Sequence, residues 1–143
     1  MKSLKNVSVK FFLTFLPAKL KEEYTKNEIF VPQWAELVKT GAGKERKPIE
    51  KDWWFIRAAS ILKKLFIFSN IGVQKLSRKY SSLKNRGCKP ERKVPSGRKH
   101  LRLILQNFEK LNLVTKDKKG RMISDNGKKT LSSWIKLFEN EQK

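Results

Sequence analysis

The chain has 143 residues, 38% of them apolar, which is enough for one domain, 1–143, with a hydrophobic core. Its 34 Lys and Arg against 13 Asp and Glu leave a formal charge of +21, a surplus that repels itself unless a dense polyanion neutralises it, so nucleic acid is the expected partner. The lone Cys88 excludes an intramolecular disulfide, no Cys or His spacing suggests a metal, and His100, the sole histidine, sits in a basic run without an acidic orienter for a catalytic pair.

The apolar run Phe11 to Leu16, after Lys2, Lys5 and Lys10, is too short for a signal peptide core and is followed at once by Lys19 and Lys21. It reads instead as an amphipathic helix over residues 8 to about 24, with Phe12, Leu13, Leu16 and Leu20 on one face and Pro17 kinking or dividing it. Val31-Pro32-Gln33-Trp34 opens a second, short helix ending at Gly41, with Trp34 and Leu37 or Val38 turned to the core. Gly41-Ala42-Gly43-Lys44 lacks the spacing and preceding strand of a phosphate loop and reads as a helix end; the charged stretch 42 to 51 is then a connecting loop.

Asp52 is the expected N-cap of a longer helix to residue 68, with Trp54, Ala58, Ile61, Leu62 and Leu65 on its buried face. Opposite them Trp53, Arg57, Ser60 and Lys64 follow at four, three and four residues, with Lys63 beside them, forming a candidate RNA-facing stripe. The stripe has a second reading, with Trp53 a core residue, since tryptophan is usually largely buried, and Arg57 a solvated helix charge.

Gly72 opens a short helix with Val73, Leu76 and Tyr80 inward and Lys75, Arg78 and Lys79 outward. From Lys75 to Arg102 there are eleven Lys or Arg and one acid, Glu91, and Gly87, Pro90, Pro95 and Gly97 interrupt the run. Residues 81 to 96 therefore read as a basic loop, with Lys84, Arg86 and Lys89 as further candidate RNA ligands. Ser96 is the expected cap of a strongly amphipathic helix, 97 to about 112, that buries Leu101, Ile104, Leu105, Phe108 and Leu111 and carries Arg98, Lys99 and Arg102 outside. A hairpin follows, with a glycine turn at Asp117-Lys118-Lys119-Gly120. A last helix starts at Ser124 or Asp125 with Leu131, Trp134, Ile135 and Phe138 at i, i+3, i+4 and i+7. The fold class is mainly α, a helical domain around a central amphipathic helix with a short β-hairpin, winged-helix-like in order.

These elements and their local strings resemble the small-subunit ribosomal protein nineteen family of eukaryotes and archaea. The strings are Val31-Pro32-Gln33-Trp34, Asp52-Trp53-Trp54-Phe55-Ile56-Arg57-Ala58-Ala59-Ser60, Ile71-Gly72-Val73 and Lys79-Tyr80. Leu105-Gln106, Glu109, Leu111, Val114, Lys116-Asp117 and Gly127 continue them in order, so that the match runs from about residue 7 to 135. The resemblance implies a structural, non-enzymatic protein of the small-subunit head that binds ribosomal RNA, touches neighbouring head proteins and supports maturation of the precursor RNA. It further implies a cytoplasmic, ribosome-bound protein with nucleolar passage during assembly, and no cofactor, membrane or small-molecule substrate. Trp53, Arg57, Lys63 and Arg102 match positions of the family's basic RNA-binding surface, and the segment after Tyr80 matches its glycine- and arginine-rich loop. Ser81, Ser82 and Leu83 depart from that loop, which shifts its expected phosphate contacts to Lys84 or Arg86; Pro17 is a second departure.

Two other functions compete with this reading. A winged-helix DNA regulator would place helix 97–112 in a major groove, but apart from Arg98, Lys99 and Arg102 that helix offers mainly Gln106 and Asn107 as base readers. An RNA-processing enzyme would need paired acids, and Glu22-Glu23, Glu139 and Glu141 lie near the ends and read as solvated charges.

Overall fold

Proline inside a helix lacks an N–H to donate, and its ring collides with the carbonyl four residues back. The computed structural model, which describes residues 8–118 and 120–141, meets this at Pro17 with a π-helical turn, Phe11–Phe15, in which the Leu16 N–H reaches back to the Phe11 carbonyl. Helix α1, Leu16–Lys26, then carries Pro17 in its first turn, directly after the widened π turn. The helical path therefore continues through the proline. The wider turn also shifts the buried face, so that Phe11 and Phe12 are buried while Leu13, expected inside, is 54% exposed. Lys2 and Lys5, and Lys119 of the later turn, lie outside the described residues.

The second segment is shorter than expected. Pro32, in extended conformation, leads into a single 3₁₀ turn, Gln33–Glu36, after which Leu37 is exposed and Trp34 packs edge-on against Trp54 at 5.9 Å. Gly41 does not end a helix; it forms a one-residue β-bridge with Ser96.

Helix α2, Trp53–Ile67, buries Trp53, Trp54, Phe55, Ala58, Ala59, Ile61, Leu62 and Leu65, an arc wide enough to receive neighbours on several sides. The π turn, α1 and strand β4 (Gly120–Ile123) all pack on it. Its N-terminus is not capped by the Asp52 carboxylate, which accepts instead from Lys21 Nζ at 2.9 Å, tying α1 to the start of α2. Helix α3, Val73–Lys79, begins after Gly72 and rests on α4, Lys99–Lys110. The α4 helix starts two residues later than expected, because the Ser96 hydroxyl is engaged with the Thr40 carbonyl at 2.7 Å and does not cap it.

Residues 81–96, read from sequence as a loop, contain an antiparallel hairpin, β1 (Ser82–Arg86) and β2 (Lys89–Val94), with Gly87 in the left-handed region at its turn. The expected hairpin is β3 (Val114–Asp117) with β4, in register from Val114 opposite Ile123 to Asp117 opposite Gly120. Ile71, between α2 and α3, exchanges both backbone hydrogen bonds with Arg121 of β4, which gives α2, α3, α4 and this hairpin a winged-helix-like arrangement. Helix α5, Asp125–Glu141, is capped by the Ser124 hydroxyl, which accepts from the Gly127 N–H at 2.9 Å. Glycine is required at 127 because a Cβ there would lie 2.3 Å from the Leu113 carbonyl oxygen. All four predicted apolar residues of α5 are buried, and Phe138 reaches Phe11 at 5.4 Å, closing the core over the π turn.

Leu62 and Leu65 have no exposure in this core, so replacing either with Ala should lower stability by roughly 2 to 5 kcal/mol, measured by denaturant unfolding. His100 is 3% exposed and lies edge-on to Trp53 at 6.0 Å; burial, assisted by the positive charge of Arg57, pulls its pKa from 6.5 down to about 4. Between those values the unfolded chain binds the proton and the folded chain does not. The stability contributed by a neutral His100 is thus complete above about pH 6.5 and is lost as the pH falls towards 4, by up to about 3 kcal/mol. Unfolding curves should fall in midpoint from pH 7 to 4.5, and His100→Gln should flatten that dependence while starting from a lower midpoint.

Candidate nucleic-acid interface

The arc of α2 left outside the core carries Arg57, Ser60, Lys63 and Lys64, all half-buried. The end of α3 brings Tyr80 across this arc, and its hydroxyl lies 2.7 Å from Ser60 Oγ. Arg57 then lies 4.2 Å from the centre of the Tyr80 ring, Lys64 Nζ is also 4.2 Å from it, and Lys64 donates to Ser60 Oγ at 3.3 Å. Lys63 turns the other way and sits 4.1 Å over Phe12 of the π turn. Burial lowers the Arg57 pKa from the usual arginine value, and Tyr80 opposes the shift. None of the described ion pairs draws on these cations; they use Lys19, Lys21, Lys26, Arg121 and Lys128. A desolvated guanidinium without a carboxylate attracts an anion strongly, and the π faces hold it in place meanwhile.

Trp53 belongs mainly to the core. It is 9% exposed and packs edge-on to Trp54 at 5.6 Å and to His100, so it lends only its rim to the surface. That rim lines a groove of about 810 Å³ between the π turn, α2 and the segment 44–50. Arg57 and Lys63 stand on one side of the groove, and Lys44, Arg46 and Lys47 on the other. The last three were missed in the sequence, where the stretch 42 to 51 read only as a connection. What places them is distant in the chain: Gly41 pairs with Ser96, and Gly43 approaches β1 so closely that a Cβ would meet Ser82 Oγ at 2.4 Å.

A second groove, of about 660 Å³, brings together Arg78 of α3, Lys93 of β2 and Arg98 before α4. Lys75 and Lys79 of α3 point outward beyond it, with Lys79 Nζ 3.7 Å over Phe68. Lys99 is exposed and sits 4.6 Å over Trp34, and Arg102 is exposed on α4; neither lines a groove. On the hairpin, Lys84 is opposite Arg92 and Arg86 opposite Lys89, two exposed like-charged pairs with a register shift between them. Arg92 belongs to the same basic run in the sequence, and the strand pairing sets it across from Lys84. The candidate cations therefore form two grooves and a ribbon, with Lys64 beside the first groove on Tyr80 and Lys75, Lys79, Lys99 and Arg102 around them.

The family model of ribosomal protein S19e matches residues 3–140. Small ribosomal subunit protein eS19 of Thermoplasma volcanium is 35% identical over 133 residues, covering 93% of this chain and 87% of that protein. The eS19 protein of Aeropyrum pernix is 42% identical over 125 residues, 86% of this chain and 80% of its own length. Small ribosomal subunit protein eS19B of Schizosaccharomyces pombe is 33% identical over 142 residues, 98% of this chain and 97% of that one. With a family model spanning nearly its whole length and relatives matched over most of theirs, the chain belongs to the ribosomal protein S19e family.

Proposed function

We propose that this protein is a structural constituent of the small ribosomal subunit, where it binds ribosomal RNA in the head and supports maturation of the precursor RNA during assembly. Its relatives are named as small ribosomal subunit proteins. The observation that carries the RNA reading is the cluster on α2: Arg57 and Lys64 are held on the Tyr80 ring and drawn partly out of water, with no described carboxylate partner. Such cations gain most from phosphate, which replaces both the missing counter-charge and the lost hydration. The neighbouring groove adds Lys44, Arg46 and Lys47 from a second segment, so that a folded RNA backbone is met from two sides. Other head proteins are the expected neighbours. The particle is cytoplasmic, with nucleolar passage while it is being built.

Arg57→Met keeps an unbranched stem against Tyr80 and removes the charge. Its melting temperature should stay within a few degrees of the unmodified protein, its affinity for small-subunit RNA fragments should fall several-fold, and the salt slope of binding should shrink by about one. On gradients, less of the variant should travel with small subunits. Unchanged slope and unchanged incorporation in a normally folded variant would overturn the proposal.

A further inference from the structure

The groove between α3, the base of the β1–β2 hairpin and the start of α4 is separate from the α2 cluster and has its own chemistry. Its floor is closed by hydrogen bonds: Ser77 Oγ donates to the Ser96 carbonyl at 2.5 Å, and the Ser96 N–H donates to the Ser77 carbonyl at 3.1 Å. Above that floor the side chains of Gln74, Arg78, Ser81, Lys93 and Arg98 line the walls with no described hydrogen bond or ion pair, while Val94 and Pro95 supply an apolar strip. The volume, about 660 Å³, lies within the range of about 300 to 1,000 Å³ typical of sites for small ligands.

Three cations around a concave wall select an anion, but a site for phosphate alone would not need the apolar strip or the uncharged amide and hydroxyl beside it. A nucleotide uses all three features. Its phosphate meets Arg78, Lys93 and Arg98, its base lies on Val94 and Pro95 or under a guanidinium plane, and its polar edge reaches Gln74 and Ser81. A paired base is closed in its stack, with its Watson–Crick edge occupied, and cannot enter a recess. We infer that this groove receives one unstacked nucleotide from a single-stranded or bulged part of the bound RNA. The inference rests on the RNA reading above and adds to it a second, distinct contact that distinguishes unpaired from paired RNA.

The test compares a short single-stranded oligouridylate and oligoadenylate with a duplex RNA of the same length, using the full chain. Gln74→Ala with Ser81→Ala leaves every charge in place, so the salt slope should not change and duplex affinity should hold. Affinity for the single strands should drop about tenfold, the loss expected for two neutral hydrogen bonds. Thiouridine crosslinks from the single strand should map to α3 and to the segment 93–98. Equal losses on both RNAs, no loss on either, or crosslinks confined to the α2 groove would overturn the inference while leaving the RNA-binding role intact. Failure of the unmodified protein to bind either RNA would overturn that role itself, and the nucleotide site with it.

Discussion

Ser96 joins three parts of the chain that are far apart in sequence, and both grooves depend on the joint. Its hydroxyl donates to the Thr40 carbonyl, its N–H to the Ser77 carbonyl, and its own carbonyl accepts from the Ser77 hydroxyl; the next N–H, of Gly97, also goes to Thr40. Thr40, Ser77 and Ser96 are all buried, so a broken bond here would strand a polar group away from water at a cost of about 1–3 kcal/mol. The backbones come so close that a Cβ at Gly41 would lie 3.0 Å from the Ser96 Cα. Thr40 lines the groove beside α2, while Ser77 and Ser96 line the one beside α3. The two grooves are thus held in a fixed relation by one small set of polar contacts, which sets the cations of the 44–50 segment and α2 relative to Arg78, Lys93 and Arg98.

A chain with so large an excess of cations cannot pair them with its own acids, and the fold seats many of them on aromatic rings instead. Lys63 lies over Phe12, Lys79 over Phe68 and Lys99 over Trp34, while Arg57 and Lys64 share Tyr80; Lys19 and Lys21 combine a ring, Phe15 and Phe55, with an ion pair to Glu22 and Asp52. A ring face attracts a cation without cancelling its charge, so the side chain is ordered and the field outside persists. Ordering in advance reduces the rotamer entropy lost when a phosphate arrives. The aromatic residues accordingly serve two ends here: Phe12 is nearly wholly buried in the core yet still presents a face to Lys63, and Tyr80 connects α3 to α2 through Ser60.

Periodic apolar patterns made α2, α4 and α5 legible, because a long stripe is a strong signal and the core uses it directly. The resemblance carried the family, and the β3–β4 turn followed from its glycine. Elsewhere local rules gave way to long-range partners. Ser96 and Asp52 have good capping chemistry, but the Thr40 carbonyl and Lys21 claim their side chains. Leu13 has the right spacing for the core and is turned out by the π turn that Pro17 requires. Trp53 falls on the polar side of α2 by spacing alone, yet Trp54 and His100 draw its ring inward, a contact that depends on where α4 lies. Of the candidate site, the α2 cations were readable as a stripe, whereas Tyr80 as their shared support and Lys44, Arg46 and Lys47 as their companions depend on tertiary placement.

The β1–β2 hairpin was obscured by its composition, and the reason bears on its role. Lys84 faces Arg92 and Arg86 faces Lys89, and like charges directly across a strand pair oppose the pairing. Nearly every residue of the two strands is exposed, so little apolar burial offsets that repulsion, and a two-stranded ribbon is marginal in water by itself. Val94, half-buried, and the Ser96 joint anchor the base of the ribbon, leaving its outer part to be stabilised by whatever neutralises the four cations. A polyanion lying along the ribbon would do so at both pairs and would thereby favour the observed strand pairing. Folding stability is consequently uneven along the molecule: the helices around α2 fold on buried apolar area, while the ribbon has little such area to set against its own charge.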